Sequence, residues 1–285
     1  MIQIVQSGVT DTTIFVLLAT SFFAIFSVGK MLHFAHGTAY LLGAYIGYSV
    51  GRHAPFAVAV LCATLGAAVF GFLCETLIYR PLRARGATGM ILLISSLALF
   101  IVGENVIGMK YGGEAISIQS SLQHAVVRVG GASFSWIQII GAVGAVLWVV
   151  ALALLLRRTS LGAYMRAIAT HEPLAELSGV PTVRVRQAVF FGASAAVGFA
   201  GIVRMVDLNG EPTMGLTGIL FAIVPFLVGG GRSLWGAVMG AALIGFGTNV
   251  FSWYVGDEWT LSFVFAVLAL VMLVRPEGIV SGRSA

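Results

Sequence analysis

Nine apolar stretches follow one another along this chain, at positions 12–28, 37–50, 56–79, 88–108, 134–156, 188–206, 216–228, 234–254 and 260–274. A helix needs about 20 apolar residues to cross the hydrocarbon of a bilayer, and most of the nine reach or approach that length. Lipid offers a peptide group no hydrogen-bond partner, so a run of this kind crosses as a helix that satisfies its own backbone. Composition agrees: 9% of the residues are charged and 59% hydrophobic, where a soluble domain carries roughly 25% charged residues. The expected fold is all-α, a polytopic transmembrane helical bundle of about 8–10 spans, organised as one membrane domain over residues 1–285. The stretches 37–50 and 216–228 are short for a full crossing and read as tilted, broken or re-entrant.

The net charge of +5 would suggest nucleic acid in a soluble protein. Here the basic residues sit in the short loops between apolar runs, where they report orientation instead. With alternating spans, Lys30, Arg80, Arg83, Arg85, Arg157, Arg158, Arg166, Arg184, Arg186, Arg232, Arg275 and Arg283 fall on one side. Arg52, Lys110, Arg128 and Arg204 fall on the other. The richer side is expected to be cytoplasmic, with the N-terminus outside, the C-terminus inside and an odd number of crossings. The first apolar run has no positive flank before it and reads as a retained span, not a cleaved signal. Cys62 and Cys74 share one apolar run and read as small hydrophobes, not as a disulfide or metal pair. The one sizeable outer loop, 110–133, is too short for a domain. With no soluble domain between the spans, an energy source or receptor has to come on another chain.

The longest polar interruption is 157–186, RRTSLGAYMRAIATHEPLAELSGVPTVRVR. Within it, 160–169 and 173–178 read as two short helical pieces, and Gly179, Val180 and Pro181 break the chain. A basic loop of this length between spans is expected to be a docking platform on the cytoplasmic side.

Several residues are candidates for chemistry. His33 and His36 lie three apart with no Cys, Asp or Glu nearby, so a metal site is not expected. They are expected to close an inner turn by hydrogen-bonding backbone freed at a helix break, the alternative being a lining role in a pathway. Glu104 and Asn105, near the outer end of 88–108, are candidates for that pathway, because ionisable groups in spans face protein or water. Glu75, five residues before Arg80, is expected to pair with a nearby arginine. Arg204 and Asp207 are spaced to pair with each other. Pro225 interrupts 216–228 and Gly229-Gly230-Gly231 follows. Irregular backbone at this depth is tolerated only under protein or beside a watery cavity, so 225–233 is expected inside the bundle. The glycine run lacks the Gly-Lys-Ser/Thr ending of a phosphate loop, and no Gly-x-Ser-x-Gly elbow occurs. Neither ATP binding by that route nor an enzyme activity is expected. Phe26-Ser27-Val28-Gly29 is echoed by Phe226-Leu227-Val228-Gly229, each followed by a GxxxG pair, Gly43/Gly47 and Gly236/Gly240. This pattern suggests a parallel internal repeat.

Taken in order, several of these stretches resemble the permease subunits of bacterial ABC importers for branched-chain amino acids, in particular the shorter of the two paired permeases. His33-Phe34-Ala35-His36-Gly37 is similar to the family's N-F-A-H-G, with His33 where Asn is usual. Tyr79-Arg80-Pro81-Leu82-Arg83 matches Y-R-P-L-R. Thr159, Leu161, Gly162, Arg166 and Ala167 match T-x-L-G-x-x-x-R-A. Pro212, Met214 and Gly215 fit P-x-M-G, Gly229-Gly230 with Gly236-Ala237 fit G-G…G-A, and Arg275-Pro276-Glu277-Gly278 resembles R-P-x-G. The order and spacing of these motifs, across positions 27–282, carry the resemblance.

The resemblance implies an importer permease that pairs with a second, longer permease in a bacterial inner membrane. Two cytoplasmic ATPase subunits, which bind the ATP and magnesium, and a periplasmic substrate-binding protein would complete it. The chain itself would hold no cofactor and contact lipid but no nucleic acid. The large inner loop would carry a coupling helix contacting the ATPases through His171, Glu172, Ala175, Leu177 and Gly179, with His171 or Glu172 capping it. Ala175 and Gly179 fall on the family's second Ala and Gly, whereas Pro173 and Leu174 replace its Glu and first Ala. The implied pathway includes His33, His36, Glu104, Asn105, Phe221, Pro225, Gly229 and Gly230. Phe221 stands where the family often has lysine, so the cargo is a branched-chain amino acid or, alternatively, urea, an amide or an aromatic acid. An ion-coupled secondary transporter is the alternative from another class; it would need charges at mid-membrane, and the spans hold almost none.

Overall fold

The computed structural model describes residues 2–118, 126–129 and 132–280. Ten helices carry the fold among the described residues: α1 (Ile2–Gly29), α2 (His36–Gly51), α3 (Phe56–Leu73), α4 (Gly89–Tyr111), α5 (Trp136–Arg158), α6 (Ser160–Leu177), α7 (Thr182–Leu208), α8 (Met214–Gly229), α9 (Leu234–Val255) and α10 (Thr260–Val274). α3 runs on through a π-helical segment, Cys74–Tyr79, into a last turn, Arg80–Ala84. Every apolar stretch of the sequence is one of these helices. Seven helical spans are long and apolar enough to cross a membrane; α2 and α8, at 16 residues each, are the short pair. The loop 110–133 holds a feature its composition did not announce. Strands β1 (Val126–Val129) and β2 (Ala132–Ser135) form an antiparallel hairpin pairing Val126 with Ser135 and Val129 with Ala132.

The contacts divide the chain into two compact units. One comprises residues 24–118 and 148–219, the other residues 1–23, 119–147 and 220–285. The divisions at 23/24, 147/148 and 219/220 fall inside α1, α5 and α8.

In the first unit, α2 packs on both α3 and α7, and α3 on α7. Small residues let the backbones touch. A Cβ added to Gly43 would lie 2.2 Å from the Gly198 carbonyl oxygen, and one on Gly201 2.2 Å from that of Tyr40. Gly71 is filled from the other side by Ser194, whose Oγ would lie 2.0 Å from an added Cβ. α2 starts at the end of the unit where α3 finishes, and at its other end Ser49 Oγ lies 2.5 Å from the Tyr111 hydroxyl of α4. Sixteen residues span about 24 Å, well short of the 27-residue α7 it packs against. Enclosed by α3 and α7, it has no lipid thickness to match.

In the second unit, α9 lies along the end of α8. A Cβ on Gly236 would be 2.4 Å from the Gly229 carbonyl oxygen, and one on Gly240 2.0 Å from that of Pro225. Phe15 of α1 stacks on Phe221 of α8 with ring centroids 4.1 Å apart, and Phe251 of α9 on Phe263 of α10 at 4.8 Å. Both GxxxG pairs seen in the sequence therefore sit at helix contacts, and Gly29 and Gly229 each end a helix.

Burial separates core from periphery. The apolar windows of α1 and α7 are 78% and 72% buried, that of α10 only 6%. The exposed faces of α3, α4, α5 and α10 are rows of Leu, Ile, Val, Met and Phe, as a lipid boundary requires. Two helical glycines separate packing from propensity. Gly43→Ala is expected to destabilise the protein in detergent by about 1–3 kcal/mol, because the added methyl meets backbone. Gly192→Ala, on α7 with nothing within 4 Å, is expected to stabilise it by up to about 1 kcal/mol. Thermal unfolding of the two variants checks the difference in sign.

Candidate functional site

At one end of the first unit, polar and charged side chains from five elements converge. The corner between α5 and α6 is built by three motif residues. Thr159 caps α6 by accepting from the Gly162 amide at 3.1 Å. Gly162 leaves room for α5, whose Leu155 oxygen would lie 2.2 Å from a Cβ there, and the Arg166 guanidinium donates to the Leu156 carbonyl. These contacts satisfy carbonyls that the end of a helix leaves open.

α6 is two helical pieces. His171 has φ −154° and ψ 98°, extended backbone inside the helical run. Its Nδ1 accepts from the Leu174 amide at 3.2 Å, an N-cap for a short second helix that begins at Glu172 with Pro173 in its first turn. That helix closes on Gly179 at φ +82°, with Gly179 N–H donating to Glu176 and Val180 N–H to Ala175. This is a Schellman ending, which favours glycine because a side chain at positive φ is strained. Ala175 faces inward, 5% exposed, while Leu174 and Leu177 point out at 61% and 87%.

Two cations hold α6 against the turn between α1 and α2. The Lys30 ammonium donates to the Ala169 carbonyl. Arg186, at the start of α7 and 5% exposed, donates Nε to the Val28 carbonyl at 3.1 Å and pairs through Nη2 with Glu172. Deeper in, Glu75 pairs with Arg83 at 2.7 Å. Glu75 was expected to pair with a nearby arginine, and Arg83, just beyond the π-helical segment that carries Glu75 and Tyr79, is that partner.

The 30–35 turn rests on this cluster. His33 is fully buried, its Nδ1 3.1 Å from the Tyr79 hydroxyl and its ring edge-on to Phe190 and Tyr79. Burial first, then the nearby His36 and Arg83, hold its pKa well below the ordinary imidazole value, so this histidine is neutral. His36, 1% exposed, opens α2. The histidine side chains were expected to bond the freed backbone; Ser96 of α4 bonds part of it. Its Oγ accepts from the Phe34 amide at 3.1 Å and lies 3.2 Å from the Leu32 carbonyl oxygen. A Ser95-Ser96 pair in an apolar run carries no sequence signal for that role, apart from the general rule that buried hydroxyls find partners.

The other candidates lie elsewhere. On α4, Glu104 is half-buried and Asn105 exposed, its amide donating to the Ile101 carbonyl at 2.7 Å. In the second unit, Phe221 is buried against Phe15. Pro225 does not stop its helix; α8 continues to Gly229, since only the proline's own N–H is missing there. The break comes at Gly230 and Gly231, φ +111° and +64°, with Gly230 N–H donating to Leu227 and Gly231 N–H to Phe226. The C-terminal segment seals it: Ile279 and Val280 N–H donate to the Val228 and Gly229 carbonyls at 2.9 and 3.3 Å. Gly278 packs within 2.2 Å (from an added Cβ) of the Gly230 Cα. Of the stretch 225–233, expected inside the bundle, residues 225–231 are buried or half-buried, whereas Arg232 is exposed. Among the described residues no group of three or more His, Cys, Asp or Glu could hold a metal ion.

Comparison with known proteins gives these motifs a common frame. The family described as branched-chain amino acid transport system / permease component matches residues 4–273. The chain is 27% identical to the high-affinity branched-chain amino acid transport system permease protein LivH of Salmonella typhimurium, over 98% of its own length and 94% of that protein. It is 28% identical to BraD of Pseudomonas aeruginosa, described in the same words, over 98% and 95%. A probable branched-chain amino acid transport permease protein LivH of Methanocaldococcus jannaschii is 24% identical over 97% and 91%. Among solved structures, PsaBC from Streptococcus pneumoniae in complex with Fab shares the fold, with TM-score 0.56 and 12% identity over 96% of this chain and 92% of that one. With the family's profile covering nearly its whole length, this multi-pass membrane protein belongs to the permease components of branched-chain amino acid transport systems.

Proposed function

We propose that the chain is the transmembrane permease subunit of a bacterial ABC importer for a branched-chain or related amino acid. It supplies the pathway, while ATP is hydrolysed on two separate cytoplasmic subunits and a periplasmic protein delivers the substrate. A second, longer permease completes the membrane part. Membership of the permease family supports the transport role, and the lack of a phosphate loop in the sequence supports ATP hydrolysis on other chains.

One observation carries the coupling part of this reading. The 172–177 helix is capped at both ends, set off by the kink at His171, and turns Leu174 and Leu177 outward. Two large apolar side chains exposed on a helix within a polar, basic segment fit a partner's hydrophobic groove. In this reading His171, Glu172, Ala175, Leu177 and Gly179 form the coupling element: Leu177 docks, Ala175 anchors the helix to the permease, and His171 and Gly179 end it. Substrate-delivery and ATP-driven movements then select between outward- and inward-open arrangements. On α4, Glu104 and Asn105 line the pathway or its border with the second permease, because a carboxyl group in a span is costly against lipid.

Orientation follows from charge. Lys30, Arg83, Arg166 and Arg186 gather at the end of the first unit that holds α6. That end is cytoplasmic by the positive-inside rule, which puts the N-terminus in the periplasm and the C-terminus in the cytoplasm of a bacterial inner membrane.

Two experiments test this. Leu177→Asp leaves the thermal stability of the purified permease unchanged, since the side chain is 87% exposed, but lowers recovery of bound ATPase subunits about tenfold or more, as loss of a buried leucine contact does. Equal recovery would remove the docking role. Single cysteines at Ser178 and Gly113, in a Cys62→Ala/Cys74→Ala background, report sidedness. An impermeant maleimide added to intact cells labels position 113 and not 178; the reverse pattern overturns the orientation.

A further inference from the structure

The kink in α6 lies between two anchors that lead to the same place. Ala169, two residues before His171, is held by Lys30 of the α1–α2 turn. Glu172, one residue after it, is held by Arg186, which also binds the Val28 carbonyl at the end of α1. Lys30 takes φ +53° to make its contact, an unusual conformation for a side-chain-bearing residue. Both routes end within three residues of one another, at 28 and 30, where α1 stops. Arg186 is buried, so its pair with Glu172 is screened little by solvent. The neighbouring Glu75–Arg83 pair adds one charge of each sign, and Arg186 and Glu172 both act electrostatically on it. A guanidinium that bridges a carboxylate on one element and a main-chain carbonyl on another fixes their separation through a planar fork.

We propose that Arg186 and Lys30 are positioning residues that make the α6 hinge and the α1–α2 break one mechanical unit, so that displacement of the 172–177 helix moves the 28–36 backbone directly. Arg186 is the principal strut, because it holds the mobile side of the hinge. Ser96 and the His33–Tyr79 contact keep the moved turn intact while its position changes. This inference rests on the coupling reading given above, but its first test does not.

The first test uses the purified permease alone and measures hydrogen exchange of the 30–36 amides. Glu172→Gln is the informative variant, because Glu172 is partly exposed and lies outside the turn. It is expected to raise exchange at 30–36 about tenfold through loss of a charged hydrogen bond to Arg186. Arg186→Gln is expected to do the same or more, and the double variant to exceed Arg186→Gln by little. Exchange changes in Glu172→Gln confined to 170–187 would overturn the strut, whatever the protein transports. The second test uses the assembled transporter in vesicles and measures substrate moved per ATP hydrolysed. Glu172→Gln is expected to lower that ratio severalfold while ATP hydrolysis persists; a merely structural defect lowers transport and hydrolysis together. An unchanged ratio beside a loosened turn would overturn the role in coupling. Wild-type vesicles that move substrate without ATP would instead overturn the importer reading, with the exchange result still deciding the strut.

Discussion

A peptide group that leaves a helix inside packed protein has no water to bond, and the structure depends on how each such group is supplied with a partner. Two breaks pose the problem, one after Gly29 and one after Gly229. At the first, Ser96 takes the Phe34 amide and approaches the Leu32 carbonyl. At the second, positive-φ glycines turn the chain back onto its own helix, and the C-terminal segment adds two main-chain bonds. The solutions differ because the neighbours differ. The first break lies under the side chains of α3, α4 and α7, whereas the second lies against a glycine face of α9 that admits backbone only.

The same glycine ending recurs where helices meet the basic surface. Gly86 and Gly179 both take positive φ and close their helices with the same pair of reversed hydrogen bonds. Such endings leave few open carbonyls, so the arginines nearby are available for other work. Arg83, Arg166 and Arg186 each reach a specific carboxylate or carbonyl. The basic residues expected to report orientation are, in part, also the residues that brace the end of the first unit holding α6.

Much of this was legible in the chain. The nine apolar runs, the two-piece character of 157–186 and the enclosed glycine break all follow from residue type and spacing. A cap at His171 or Glu172 was legible too, since proline in the first turn favours a helix start, and the structure uses His171. That Glu75 pairs with a nearby arginine was legible as well; which arginine it is was not, because a π-helical segment lies between Glu75 and Arg83 and composition gives no sign of it. Pro225 read as an interruption of its run; the helix continues through it and the glycines make the turn. The β1–β2 hairpin was not read from the sequence, although a Gly130-Gly131 pair, which suits a two-residue hairpin turn, separates the two runs; the surrounding stretch lacks strong alternation.

By itself the sequence determined that the protein is helical and membrane-embedded, and in what order its spans and polar segments come. Lipid imposes that through hydrogen bonding within each segment, which is local. It also carried the motifs by which the family is known. Only the tertiary structure decided which short helix is enclosed, which serine covers a break, and which carboxylate each buried arginine holds. Those choices depend on residues up to 158 positions apart, as between Arg186 and Val28. A local pattern cannot encode them, because a buried polar group is satisfied by whatever folding brings within reach.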